Sequence, residues 1–125
     1  RGKPVEYTGM TWSAFRPSDD QTEFGYLIPS NMYAVVVLQY IEEIADKVYG
    51  DSAMKAKAAK LWKEIDDGIH KHAVVDVPNY GKIYAYEVDG KGGKKNFSFI
   101  DYHEIIFSLI FLFRFFFFSF ILYRI

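Results

Sequence analysis

Cysteine is absent from the 125 residues, and with it go any disulfide framework, thiolate zinc site or cysteine nucleophile. A cysteine-free chain fits any redox compartment, so localisation stays open. A charge excess of either sign is also missing: 15 Lys and Arg face 16 Asp and Glu, for a formal net charge of -1. That balance excludes a nucleic-acid arm, which shows as a strong basic excess. No phosphate-cradling glycine loop occurs either, since Gly90 to Gly93 lack the strand, spacing and following helix such a loop needs. No secretory signal is read, because the sequence opens at Arg1 among polar neighbours without an initiator Met. This opening is that of a fragment, and the length is that of about one domain.

What the chain has in excess is aromatic surface, 19% of its residues, with 12 Phe. Eight of those Phe lie between Ile105 and Ile125, a stretch whose only formal charges are Arg114 and Arg124. The chain therefore divides into residues 1–101 and an anomalous tail, 102–125.

Residues 1–31 carry Gly2, Pro4, Gly9, Pro17, Gly25 and Pro29, a spacing that leaves no room for a long element. The same segment holds Trp12, Phe15, Phe24 and Tyr26 beside Arg16, Asp19 and Asp20. A linker would be small and polar, so this is an ordered loop with a function. From Asn31 to Tyr49 the pattern turns helical, with Ser30 as the expected N-cap and Gly50 as the stop. Met32 to Leu38 is apolar on all sides, which predicts burial around the whole circumference. A second helix is expected from Asp51 or Ser52 to His72, with Met54, Ala58, Leu61, Ile65 and Ile69 on its inner face and a solvated lysine-rich outer face. Residues 73–90 suit short extended pieces, Asp89-Gly90 marks a turn, and Lys91 to Lys95 reads as an exposed loop.

The densest chemistry lies between Tyr7 and Asp20, where two acids, an arginine, hydroxyls and aromatic faces share a short span. Sugars suit such a surface, because ring C–H faces stack on Trp or Tyr while hydroxyls need carboxylate and guanidinium partners. Glycosidic cleavage commonly takes one carboxylic acid to protonate the leaving oxygen and a second carboxylate across the ring. Asp19 and Asp20 do not suit that pair, since neighbours on an extended backbone point to opposite sides. One can serve as the acid while the other caps the following helix or pairs with Arg16; the bland alternative is a Ser-Asp-Asp turn that ends a loop. His70 and His72, two apart, share no helical face, and no metal site is expected there. A Ser-His-Asp triad assembled from such a chain has no specificity.

Thr8-Gly-Met-Thr-Trp-Ser-Ala-Phe-Arg-Pro-Ser-Asp-Asp20, followed by Tyr26-Leu-Ile-Pro-Ser-Asn-Met32, resembles glycoside hydrolase family 125, the metal-independent exo-acting alpha-1,6-mannosidases. The resemblance continues through Val35–Leu38 and Tyr86-Glu-Val-Asp-Gly90 and covers about residues 5–90. It implies a mainly α chain, an incomplete piece of a six-hairpin (α/α) barrel with a loop-rich N-terminal segment. It also implies a terminal alpha-mannosyl glycan as partner, no cofactor and no metal. An inverting hydrolysis would use an aspartic acid and a glutamic base, the acid being one of Asp19 and Asp20. By the same comparison Trp12, Arg16, Ser18 and Asn31 shape or contact the pocket, and Glu87 and Asp89 lie near it.

The departures are equally specific. Family members are longer, and their glutamic base has no counterpart here. Relatives continue into Asp-Asp-Ala-Asn, whereas here Tyr102-His-Glu-Ile follows Asp101.

The tail admits three readings. Ile105 to Leu122 approaches the ~20 apolar residues that cross a bilayer. Its central Arg114 costs about 2.5–3.5 kcal/mol, which the surrounding Phe, Ile and Leu offset at ~0.3–0.6 kcal/mol each. A buried barrel helix is the second reading, although four consecutive Phe, 115–118, pack poorly at helical period. The reading favoured by the composition is a read-through intron or shifted frame, since Phe, Ile, Leu, Tyr and Ser dominate translations of T- and A-rich DNA. The expected function is thus a mannosidase piece. The alternatives are a mannose-binding or membrane-anchored remnant without catalysis, and a truncated product with no function of its own.

Overall fold

The computed structural model describes residues 3–96, so the readings of the 102–125 tail lie outside the described residues. The elements run β1 (Tyr26–Leu27), α1 (Ile28–Ile44), a π-helical turn (Ala45–Tyr49) and α2 (Ser52–His72). Then follow β2 (Val74–Val77), β3 (Gly81–Tyr84), β4 (Glu87–Val88) and β5 (Lys94–Lys95). The described chain is mainly helical, with short strands gathered at one end.

α1 and α2 form an antiparallel hairpin. Trp62 Nε1 donates to Glu42 Oε2 at 2.7 Å, and one turn nearer the connection Lys55 Nζ lies 3.0 Å from Asp46 Oδ2. Gly50 closes the first helix in the left-handed region at φ 63, the conformation that ends helices most cheaply without a β-carbon. Asp51 opens the second: its carboxylate accepts from the N–H groups of Ala53 and Met54 at 3.0 and 2.9 Å, satisfying two orphan donors.

Helix α1 starts earlier than the expected Ser30 cap would place it. Leu27 holds the N-cap position with no side-chain hydrogen bond. Backbone pairing explains the difference: β1 keeps Leu27 extended, and Ile28 N–H donates to Tyr86 C=O at 2.9 Å. Pro29 in the first turn has no N–H to satisfy. Nor is the run from Met32 to Leu38 buried all round. Val35 alone is buried and Tyr33 is 48% exposed, because α2 covers one side of α1 and no other described helix covers the rest.

On α2 the inner strip runs Ala58, Trp62, Ile65 and Ile69, while the expected inner residues Met54 and Leu61 are nearly half exposed. The strip is rotated toward Trp62 because α1 lies on that side. The core joins Ile65 and Ile69 to Met10, Tyr26, Ile28, Val35, Ala73, Val75, Ala85 and Val88. Each large aliphatic side chain buried here contributes about 1.5–3 kcal/mol.

Two small sheets finish the structure. β2 and β3 form an antiparallel hairpin in register Val74 with Tyr84 through Val77 with Gly81. β1, β4 and β5 form a three-stranded antiparallel sheet, with Leu27 opposite Glu87 and Glu87 opposite Lys95. Lys94 and Lys95, expected in an exposed loop, are thus an edge strand, held also by Tyr86 N–H donating to Lys95 C=O at 2.6 Å. Asp89 makes the intervening turn. Its Oδ1 accepts from Lys91 and Gly93 N–H at 2.7 and 2.8 Å.

The N-terminal segment lies between α2 and this turn. Glu6 N–H donates to Asp89 C=O at 2.9 Å, and the Tyr26 hydroxyl donates to Glu6 C=O at 2.9 Å. On the other side the Tyr7 hydroxyl donates to the Glu64 carboxylate, which holds the phenol above its ordinary 10.0. Gly68 permits the crossing: a β-carbon there would collide with the Thr8 carbonyl oxygen. A glycine in mid-helix ordinarily costs about 1 kcal/mol relative to alanine, and close backbone contact is the compensation here.

Candidate active site

Residues 13–25 fold back on themselves as a narrow ribbon. Ser13 N–H donates to Gly25 C=O at 2.9 Å, Thr22 N–H to Ala14 C=O at 3.0 Å, and Arg16 N–H to Asp20 C=O at 2.8 Å. Phe15 and Gln21 face each other across it. The tip is a three-residue loop, Pro17-Ser18-Asp19, closed by Asp19 N–H donating to Arg16 C=O at 3.0 Å. Such loops end in a left-handed residue, usually glycine. Here that residue is Asp19 at φ 66. A non-glycine side chain held in this region is uncommon, and such positions cluster where function fixes the backbone.

Asp19 and Asp20 therefore sit at the exposed tip of a hairpin, not on an extended strand. Ser18 Oγ donates to Asp20 Oδ2 at 3.1 Å. Arg16 takes an ion-pair partner 71 residues away. That partner is Glu87, whose Oε1 accepts from Arg16 Nε at 2.7 Å. The two side chains are 7% and 0% exposed. Glu87 Oε2 meanwhile accepts from the N–H groups of Glu23 and Phe24 at 2.7 and 3.1 Å. The Arg16 guanidinium lies 5.5 Å from the centre of the buried Tyr86 ring. Buried charge is tolerable only when paired and fully hydrogen-bonded, and Glu87 meets that condition from three donors.

Trp12 is 44% exposed, with its indole edge over Gly25. Gly25 stands at φ 86, and a β-carbon there would meet Trp12 Nε1 at 2.6 Å. Asn31 is buried behind the ribbon. Its Oδ1 accepts from Thr11 N–H at 2.7 Å, while Nδ2 donates to Thr11 C=O at 3.1 Å and Leu27 C=O at 2.9 Å. Asp89 is committed to its turn at the far side of β4 from Glu87. Thus Trp12, Ser18, Asp19 and Asp20 are exposed, the first at the base of the ribbon and the others at its tip, while Arg16, Asn31 and Glu87 are buried.

The partners that the sequence did not reveal are backbone groups and Tyr86. Glu23 and Phe24 serve through their N–H groups, which no residue identity announces. Arg16 and Glu87 are 71 residues apart in sequence, beyond any local pattern. His70 turns to its own helix, with Nδ1 2.9 Å from Asp66 C=O, and toward the Tyr84 hydroxyl at 3.5 Å. Among the described residues no group of three or more His, Cys, Asp or Glu side chains forms a metal-holding cluster.

The loop that carries Asp19 and Asp20 is thus pinned from below by the buried Glu87 carboxylate. Comparison with known proteins gives the class, a glycoside hydrolase family. A family model described as metal-independent alpha-mannosidase (GH125) matches residues 1–101, and the chain belongs to that family. Its curated relatives include the meiotically up-regulated gene 157 protein of Schizosaccharomyces pombe (strain 972 / ATCC 24843), 44% identical over 94 residues. That match takes in 74% of this chain and 18% of the yeast protein. A solved metal-independent alpha mannosidase of Streptococcus pneumoniae, in a non-productive complex with alpha-1,6-mannobiose, is 47% identical with a TM-score of 0.71. There 74% of this chain corresponds to 22% of the bacterial one. The chain thus spans about a fifth of the length of these relatives.

Proposed function

We propose that this chain is the part of an exo-acting alpha-1,6-mannosidase that contributes an aromatic and acidic loop to the pocket for a terminal mannose. The complete domain on this reading is a six-hairpin (α/α) barrel, of which α1 and α2 make one hairpin. The observation that carries the reading is the ribbon itself. Its tip exposes Asp19 and Asp20 on a loop rooted next to Trp12 and tied to a buried ion pair, within a stretch nearly half identical to a mannobiose-bound relative. One of the two aspartates protonates the departing glycosidic oxygen. Trp12 offers its face to the sugar ring, and Ser18 and the second aspartate engage hydroxyls. A base outside this chain activates water on the opposite face, so the released mannose is the β anomer.

A second reading, mannose binding without turnover, is favoured by one specific observation. A general acid working near neutral pH needs its protonated form stabilised, commonly by burial, and both aspartates are exposed. Incubating an intact enzyme that carries this segment with alpha-1,6-mannobiose under one-dimensional NMR separates the two. Release of β-mannose supports the first, and shifted loop signals without release support the second. Neither shift nor release overturns both. In an intact enzyme carrying this segment, Asp19→Asn and Asp20→Asn are expected to differ, with the acid's replacement lowering turnover about 10²–10⁴-fold. Unchanged turnover in both variants would remove the hairpin from the chemistry.

A further inference from the structure

Glu87 is the most deeply buried charged group described, and its position in the fold is peculiar. It sits on β4, paired to β1 on one side and β5 on the other, yet its carboxylate reaches the ribbon that carries Asp19 and Asp20. One oxygen takes the Arg16 guanidinium at the beginning of the loop. The other takes the N–H groups of Glu23 and Phe24 on the returning strand. A single carboxylate thus clasps both strands of the ribbon beneath its tip. Arg16 is fixed from three directions: its side chain by Glu87 and by the Tyr86 ring, its N–H by Asp20, and its carbonyl by Asp19. The last two bonds are the ones that close the loop and hold Asp19 left-handed.

With 0% of its side chain exposed and donors on both oxygens, Glu87 has no surface left to meet a sugar. We infer that Glu87 is a positioning residue, whose negative charge, acting through Arg16, holds the Asp19–Asp20 tip in the conformation that faces the mannose. The inference rests on the mannosidase reading for the meaning of that conformation, but not for the clasp itself.

Charge rather than bulk is what the geometry singles out. Glu87→Gln keeps the size of the side chain and one carbonyl oxygen for the two backbone donors, but leaves the Arg16 cation buried against a neutral amide. In the full 125-residue chain, amide hydrogen exchange of Glu87→Gln is expected to rise about tenfold or more at Arg16, Asp19 and Thr22, and to stay unchanged across α2. Neutralising both partners, Arg16→Gln with Glu87→Gln, is expected to recover part of that loss, because no buried cation then faces a neutral amide. Titration with alpha-1,6-mannobiose supplies the functional arm, with affinity falling in Glu87→Gln and partly returning in the double variant.

Unaltered exchange at the tip in Glu87→Gln overturns the inference, as does an equal rise throughout α2. If the parent chain does not bind mannobiose while the tip still loosens, the mannosidase reading of this chain fails and the clasp stands. If the parent binds and Glu87→Gln binds equally well, the clasp's part in recognition fails and the reading stands. Should Glu87→Gln not fold, the double variant Arg16→Gln with Glu87→Gln keeps the bulk of the pair and removes its charge. A loosened tip over an intact α2 then supports the inference, and a parent-like tip overturns it.

Discussion

Asn31 shows how a buried side chain can stand in for a neighbouring strand. By family resemblance it is a residue that shapes or contacts the pocket, and the structure places its whole amide against backbone. It supplies Thr11 with the pairing a neighbouring strand would give, one donor and one acceptor, and so fixes the segment that presents Trp12. Removing such a group leaves buried polar atoms unmet, which costs about 1–3 kcal/mol. Asn31→Ala is therefore expected to lower the unfolding free energy by about that amount in chemical denaturation. Asn31→Asp should cost more, since a carboxylate oxygen would face the carbonyls of Thr11 and Leu27. A parent-like midpoint for both variants would show that the amide does not hold the segment. Arg16 teaches the complementary lesson. Its importance was legible from its place among aromatics and acids, but its partner was not, because nearby aspartates compete on paper with a glutamate 71 residues away. Only the topology that brings β4 under the ribbon decides between them.

At the scale of elements, the two helices were legible because their signals are local. Asp51 caps, Gly50 stops, and the apolar spacing of Ala58, Ile65 and Ile69 reports one face. The start of α1 was not legible, because the backbone of Tyr86 supplies what the Ser30 side chain would have supplied. Lys94 and Lys95 were missed for the same reason, since strand pairing to β4 is a distant backbone event. Gly68 sets helix propensity against packing within one residue. Propensity alone predicts that Gly68→Ala stabilises α2 by about 1 kcal/mol. The structure predicts the opposite sign, because the added methyl meets the Thr8 carbonyl, which is backbone and cannot rotate away. Gly68→Ala is expected to lower the melting temperature and to release residues 5–12, seen as faster amide exchange at Glu6, whose N–H bonds to Asp89. A raised melting temperature would mean that the segment shifts without cost.

For the whole molecule, the decisive feature is a helix with too few neighbours among the described residues. On α1 and its π-helical end, Tyr33, Ile41, Ile44 and Val48 are between 38% and 69% exposed and recur along the helix. Helical periodicity places Ile41, Ile44 and Val48 on one side of the cylinder, at steps of three and four. Solvent-facing helices seldom carry such a stripe, and contiguous apolar patches mark surfaces that are covered in the complete assembly. A chain covering about a fifth of its relatives is where an uncovered helix face is to be expected. The same stripe is expected to promote self-association of the isolated chain. Introducing opposite charges at its exposed end, Ile44→Glu with Val48→Lys, leaves the described core untouched, since neither residue belongs to it. The pair is expected to lower the sedimentation coefficient toward that of a monomer and to reduce binding of a hydrophobic dye, with little change in melting temperature. Because the tail is common to parent and variant, the difference between them isolates the contribution of α1. Unchanged sedimentation and dye binding would mean that the stripe is not a contact surface, and that the described part of this chain keeps itself in solution without a covering neighbour.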